Sequence, residues 1–392
     1  MKITFEKDLL VEAMTPAMSA VSDRNAITAI EGILFTTDSE DRVILSSYDL
    51  EKGYRTAVKA QVERPGSFII NAAKLFRMVR MMPESLVTIE VNDKFQAKIS
   101  SGNSVFALSA LPGGDFPSLP DLNGERGVSI EQSLLKKMIG QVQHAIAVAD
   151  PRPVFCGAYF RLTPNKVRIV SCDRNRLALR EKDCALSMQE GNDNGVSFIV
   201  PGKTLMELSK MLSTDEEEKM VIAFGRKHVI FHMGDSLFFS RLIDGEYIDY
   251  NSVIPKNNDI KVELDRRDLV ESLERVSLVT DDKSVGQIRG YVKCVFEDNL
   301  LKVSSSSSVS SVSDEVEIDK VGNDITIAFN CRYLLDALRA ISDDKVKISL
   351  ATPLMSILIE PAEKKEEQQD KNGEQKDEGR FLYMVCPVKM KE

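Results

Sequence analysis

The chain has 392 residues, with 51 Lys and Arg against 60 Asp and Glu, for a formal net charge of −9. That length makes roughly two to four domains, and 43% hydrophobic with 28% charged residues is the balance of a globular protein. The acidic balance speaks against nucleic acid as a partner until the placement of the charges is known. Lys2, Glu6, Lys7 and Asp8 leave no uncharged stretch for a signal peptide, and no apolar run nears the ~18 residues that cross a bilayer. The six cysteines are scattered without a CxxC pair, so they read as small buried thiols of a reducing cytoplasm.

In chain order, ITFEKDLLVEAM predicts a strand running into a helix near residues 6–21, and GILFTTDSEDRVILSSYD predicts two strands around a polar turn. GSFIINAAKLFRMV is a second strand-to-helix passage (helix 71–82), and hairpins with a turn at Asn92-Asp93 follow. After the Pro/Gly/Asp-rich stretch LPGGDFPSLPDLNGERG the order restarts: VSIEQSLLKKMI (helix near 130–148), GAYFRLTPNKVRIVSCD, VSFIVPGKTLMELS (helix 201–213), and a hairpin turning at Gly225-Arg226. After IPKNNDIK it restarts again with KVELDRRDLVESL (helix near 265–278), GYVKCVFEDNLLKVSSS, ITIAFNCRYLLDAL (helix 330–342) and a hairpin turning at Ala351-Thr352-Pro353.

Leu9, Leu134 and Leu269 mark the first landmark, at spacings of 125 and 135; Leu75, Leu205 and Leu334 mark the second, at 130 and 129. Two landmarks in one order at one period imply a tandem repeat. The expected fold is α+β: three copies of a unit with two helices and an antiparallel sheet, at 1–127, 128–256 and 257–392. Residues 363–380 contain no large apolar side chain and read as a disordered insertion at the tip of the last hairpin. The run Ser304–Ser308 reads as a polar strand end.

The three second helices carry +3, +1 and +1, which leaves −14 on the rest of the chain. On the first, Lys74, Arg77 and Arg80 step by three and share one face, opposite Leu75, Val79 and Met82. A solvated polar face is one explanation. Recurrence on equivalent helices suggests the other, a shared surface that meets phosphate without reading sequence.

An active site is not legible. His228 and His232 stand four apart on a strand with no third ligand, and His144 is a lone helical histidine; all three read as structural. No Gly-rich phosphate loop or nucleophile elbow is present, and no metal or cofactor is expected. The acidic pairs Asp244/Glu246 and Asp281/Asp282 are turn-like and lack a partner. A metal-dependent nuclease or nucleotidyltransferase is the rival reading, and it would need a carboxylate cluster.

Four motifs then carry a resemblance: SGNSVFALSALPGGDFPSLP, SCDRNRLAL, LIDGEYIDYNSVIP and YMVCPVKM. Together they resemble the bacterial DNA polymerase III beta subunit, the replicative sliding clamp, over essentially the whole length apart from the insertion. The resemblance implies a non-catalytic processivity subunit of the DNA-directed DNA polymerase complex in DNA replication. It implies a homodimer closed head to tail into a ring around double-stranded DNA, in the cytoplasm with the nucleoid and away from membranes; a clamp-like paralogue serving repair would share this fold.

It also implies a pocket for short peptides from the polymerase III alpha subunit, the clamp loader, and other polymerases and repair proteins. The matching residues are Phe155, Cys172, Arg174, Asn175, Arg176, Leu177, Ile248, Val253, Ser356, Met384, Val385, Cys386, Pro387 and Val388. Cys172 stands where the family usually has Thr, and Cys386 where Met is common. The dimer interface maps to Phe106, Leu108, Leu278 and Val279. Arg24 matches a DNA-facing position, to which Lys74, Arg77, Arg80, Arg152 and Lys203 are added from the charge pattern.

Overall fold

The computed structural model describes residues 1–22, 27–120, 126–188, 195–280, 291–307, 310–362 and 379–390. Its helices are α1 (Lys7–Ala17), α2 (Ala72–Arg80), α3 (Gln132–Val142), α4 (Gly202–Met211), the single turn α5 (Tyr250–Val253), α6 (Arg266–Thr280) and α7 (Cys331–Arg339). The strands are antiparallel throughout the paired registers of three sheets. The chain forms two compact units. One comprises Met1–Leu135, Ser187–Asn192 and Lys203–Leu242; the other comprises Lys136–Leu186, Asp193–Gly202 and Ile243–Glu392.

The first unit holds a thirteen-stranded sheet. It runs continuously from the first repeat into the second because Lys52–Arg64 pairs with Ser236–Arg241, with Gly53 opposite Phe239. α1 buries Leu10, Met14 and Ala17 against it. α2 buries Ala72, Leu75 and Val79, and its N-cap Asn71 accepts a hydrogen bond from the Lys74 amide at 3.1 Å.

The second unit holds a nine-stranded sheet and a four-stranded one. The larger sheet crosses from the second repeat into the third where Arg176–Asp183 pairs with Arg380–Val385, with Leu177 opposite Met384. α7 buries Cys331, Leu334, Leu335, Ala337 and Leu338, and Asn330 caps it by accepting from the Arg332 amide at 3.0 Å. The described part of the serine run closes the strand Leu300–Ser306.

The second landmark holds: Leu75, Leu205 and Leu334 each stand three residues after the start of their helix, and all are buried. The first is one residue out. Lys7, Gln132 and Arg266 open equivalent helices, each donating its amide to a carbonyl of a later strand approach, at Ser85, Glu218 and Asp344. The equivalent buried leucines are therefore Leu10, Leu135 and Leu269, while Leu9 and Leu134 are only half-buried. Two leucines in a row hide the phase of a helix, and burial reveals it. Of the expected insertion at 363–380, only Gly379 and Arg380 are described. Arg380 opens a strand and donates to Glu360 at 3.2 Å; residues 363–378 lie outside the described residues.

Candidate functional site

Alternation on four neighbouring strands of the second unit places one apolar face together. Val170 and Cys172, Leu177 and Leu179, Leu382 and Met384, and Leu358 all project to the same side of the sheet, because opposite partners share a face. They form one cluster with Phe155 and Tyr250, and Val154, Tyr159, Tyr247, Ile248 and Cys386 pack against it half-buried. The Tyr159 and Tyr247 rings stack at 5.3 Å, and Tyr250 accepts a hydrogen bond from Arg168 Nη1 at 3.0 Å. The hairpin tip after Leu350 carries exposed Leu354 and Met355 beside Ser356, whose hydroxyl donates to Cys386 Sγ at 3.3 Å. Val253 is exposed at the end of α5.

A polar rim is tied down around this face. Asp173 Oδ1 accepts from the amides of Asn175 (2.7 Å) and Arg176 (2.9 Å), which fixes the turn between the strands. Arg176 is held on three sides: by Asp173 at 3.1 Å, by Asp336 of α7 at 2.7 Å, and by the Tyr333 ring 4.3 Å below its guanidinium. Asn175 donates its side-chain amide to Tyr333 Oη at 3.5 Å. Asp150 receives Arg174 at 2.9 Å and Arg152 at 3.4 Å. A backbone bond from Arg152 and these guanidinium groups hold its carboxyl below the usual range. Arg152 also lies over the Phe155 ring at 4.1 Å. Burial pushes the Cys172 thiol up to about 12, so it is a packing group and not a thiolate.

Of the fourteen residues matched to a pocket, the structure brings Phe155, Cys172, Leu177, Met384, Ile248 and Cys386 onto the apolar face, and Arg174, Asn175 and Arg176 onto its rim. Val385 points to the opposite side of the sheet and is buried there. Pro387 and Val388 are half-buried beyond the strand end, and the Val388 amide donates to Ala328 at 2.8 Å. The motif comparison missed Val170, Leu179, Leu358, Leu382, Tyr159, Tyr247 and Tyr250. The period-two pattern of the strands was the signal for the first four.

The first unit contains the same joint. Asp49 Oδ1 accepts from the Glu51 (3.0 Å) and Lys52 (2.8 Å) amides as Asp173 does, and the Arg241 amide donates to Glu51 at 2.8 Å as that of Cys386 does to Asn175 at 2.8 Å. Ser47 donates to Ala17 at 2.7 Å as Ser171 donates to Val142 at 2.5 Å. Tyr48, Gly53 and Phe239 thus stand where Cys172, Leu177 and Met384 stand in the second unit. Phe239 is fully buried, with Tyr48, Leu119 and Leu237 around it.

The helix charges divide. Lys74, Arg77 and Arg80 are exposed on α2 and make no ion pair among the described residues; Arg77 Nε donates to the Ala73 carbonyl at 3.1 Å, and Arg80 lies 5.6 Å from the Phe76 ring. Lys203 is also exposed. On α7, by contrast, Arg339 pairs with Glu274 at 2.7 Å and Arg332 lies 4.0 Å from Asp336; on α4, Lys210 pairs with Glu207 at 2.8 Å. Arg24 lies outside the described residues. Phe106 and Leu278 are exposed, and Leu108 and Val279 are half-buried.

Among the described residues no three His, Cys, Asp or Glu side chains gather as metal ligands; Asp281 and Asp282 lie outside them. No described helix is long and apolar enough to cross a membrane. The fold matches the Bacillus subtilis DNA polymerase sliding clamp with a TM-score of 0.88 at 26% identity, covering both chains entirely. It matches the sliding clamp of Pseudomonas aeruginosa bound to griselimycin at 0.87 and 27%, again over both chains. The class is therefore a three-domain DNA clamp.

Family models for the DNA polymerase III beta subunit match in succession: the N-terminal domain at residues 1–120, the central domain at 129–249 and the C-terminal domain at 251–371. The chain belongs to the DNA polymerase III beta subunit family. It is 28% identical over 399 residues to the beta sliding clamp of Staphylococcus epidermidis, covering 99% of both chains. It is 29% identical to that of Bacillus subtilis, covering 92% of this chain and 95% of the other. Members are non-catalytic processivity factors of DNA replication, which act with DNA and polymerase. The nuclease reading is not favoured.

Proposed function

We propose that two copies of this chain close head to tail into a ring around duplex DNA and tether the replicative polymerase to it. The repeats divide at 1–127, 128–256 and 257–392. One observation carries the ring. Phe106 is 38% exposed, whereas Phe238, its counterpart in the second repeat, is 0% exposed. Phe238 lies on a strand whose far edge is covered by the previous repeat. Among the described residues, Ser104–Ser109 has only Gln96–Ser101 beside it, and Ser311–Glu317 has only Leu300–Ser306. The internal joints pair Gly53 with Phe239 and Leu177 with Met384, so the same register pairs Ser311 with Ala107 of the partner subunit. Leu278, 78% exposed at the end of α6, and Val279 join that interface with Phe106 and Leu108.

The Cys172–Met384 face, with its Arg174–Arg176 rim and flanking Val253, Ser356, Pro387 and Val388, takes short apolar segments of the polymerase alpha subunit, the clamp loader, and other polymerases and repair proteins. Griselimycin, bound by the Pseudomonas aeruginosa clamp, is a second ligand to test against this face. Lys74, Arg77 and Arg80 face the DNA with Arg24, Arg152 and Lys203; such backbone contacts let a ring slide. The ring works at the nucleoid. On primed circular DNA with clamp loader, ATP and polymerase, adding this chain lengthens the product made per binding event. Unchanged product length would sink the reading.

A further inference from the structure

We propose that Tyr48, Gly53 and Phe239 confine partner binding to one groove per chain, by filling from within the groove that the repeat would otherwise make twice. The inference rests on reading the Cys172–Met384 face as the partner pocket. The two joints share their strand register, the Asp-led turn, the amide bond that closes the turn, and the serine bond to the end of the preceding helix or its extension. A repeat with that much in common would present two equivalent apolar faces.

The three side chains at the centre differ. A Cβ placed on Gly53 would lie 2.2 Å from Phe239 Cζ, so the phenyl ring occupies the space in which Leu177 carries its side chain. Only glycine permits that approach. The Tyr48 ring lies 5.5 Å from the Phe239 ring and tilted to it, and Tyr48 Oη donates to the Leu50 carbonyl at 3.3 Å. Phe239 is 0% exposed, whereas Met384, its counterpart, keeps 6%. An unbranched methionine can shift to admit an incoming side chain. A ring locked over a glycine and against a tyrosine has already made the contacts that a partner's side chain would make.

The test transplants the open face into the closed joint with Tyr48→Cys, Gly53→Leu and Phe239→Met. Binding of a labelled peptide from the polymerase alpha subunit is counted by titration calorimetry. The wild-type chain takes one peptide, and the transplanted chain takes two. A count that stays at one in a folded variant overturns the inference and leaves the pocket reading intact. Adding the reverse swap, Cys172→Tyr, Leu177→Gly and Met384→Phe, returns the count to one; a count of zero overturns the inference. Should the transplant fail to fold, Phe239→Ala vacates the same volume, and the same second site is expected, its absence again counting against the proposal. If the wild-type chain binds no peptide, the pocket reading falls, and this inference with it.

Discussion

At Gly53–Phe239 and at Leu177–Met384 the chain crosses from one repeat into the next by the same strand pairing, and the same aspartate turn precedes each crossing. At the first crossing the large residue is an aromatic ring that is completely covered. At the second the volume is shared by a leucine and a methionine, neighbours keep a few per cent of exposure, and three arginines stand at the edge. On the proposed reading, the first joint only holds repeats together and the second also receives a partner. Both are apolar, so hydrophobicity does not distinguish them. The central residues do: a ring packed over a glycine at the first, a leucine opposite a methionine at the second.

The largest effects should contrast the two crossings. Phe239→Ala removes a fully buried ring and is expected to cost about 3–5 kcal/mol in denaturant unfolding. Met384→Ala with Leu177→Ala is expected to weaken partner-peptide binding by more than about a hundredfold, as loss of two central anchors does, while the dimer persists by sedimentation. Loss of the dimer in that variant would mean that the face is core.

His144 marks the second unit alone. It is half-buried with its ring 5.3 Å from that of Tyr383, and desolvation of the ring, aided by nearby Arg176, lowers its pKa from 6.5 to about 4. The unfolded chain therefore takes up a proton near pH 6.5 that the folded chain refuses until about 4. Its contribution is complete above pH 6.5 and is lost as the pH falls through that window, by about 3 kcal/mol in all. His144→Gln should flatten this part of the stability–pH curve, and an unchanged curve would contradict the assignment.

Asp49→Ala and Asp173→Ala each remove an equivalent turn acceptor, at about 1–2 kcal/mol. Only the second should also reduce peptide affinity, because Asp173 helps to fix Arg176. The smallest effect is expected on DNA. Arg77→Ala should reduce the slope of log affinity against log salt by about 1, whereas Arg339→Ala, already paired with Glu274, should change it less.

The sequence alone carried much of this. Recurrent strand-to-helix passages gave the repeat, because periodicity is a local property, and the resemblance carried by SCDRNRLAL and YMVCPVKM pointed to Cys172, Leu177 and Met384. It misplaced the phase of Leu9 and Leu134, since adjacent leucines satisfy a helix pattern equally well. It set Arg332 and Arg339 only against Asp336 on their own helix, because the pair from Arg339 to Glu274 joins residues 65 positions apart that spacing does not advertise.

What the amino-acid order determined by itself is the repeated unit and the family to which the chain belongs. Those depend on local periodicity and short motifs. What only the tertiary structure decided is what packs at each crossing. Gly53 and Phe239 are 186 positions apart and Arg176 and Asp336 are 160 apart, yet each pair shares one small volume. Whether a side chain fills a groove or lines it depends on what packs opposite, and that partner is fixed by sheet register, far along the chain.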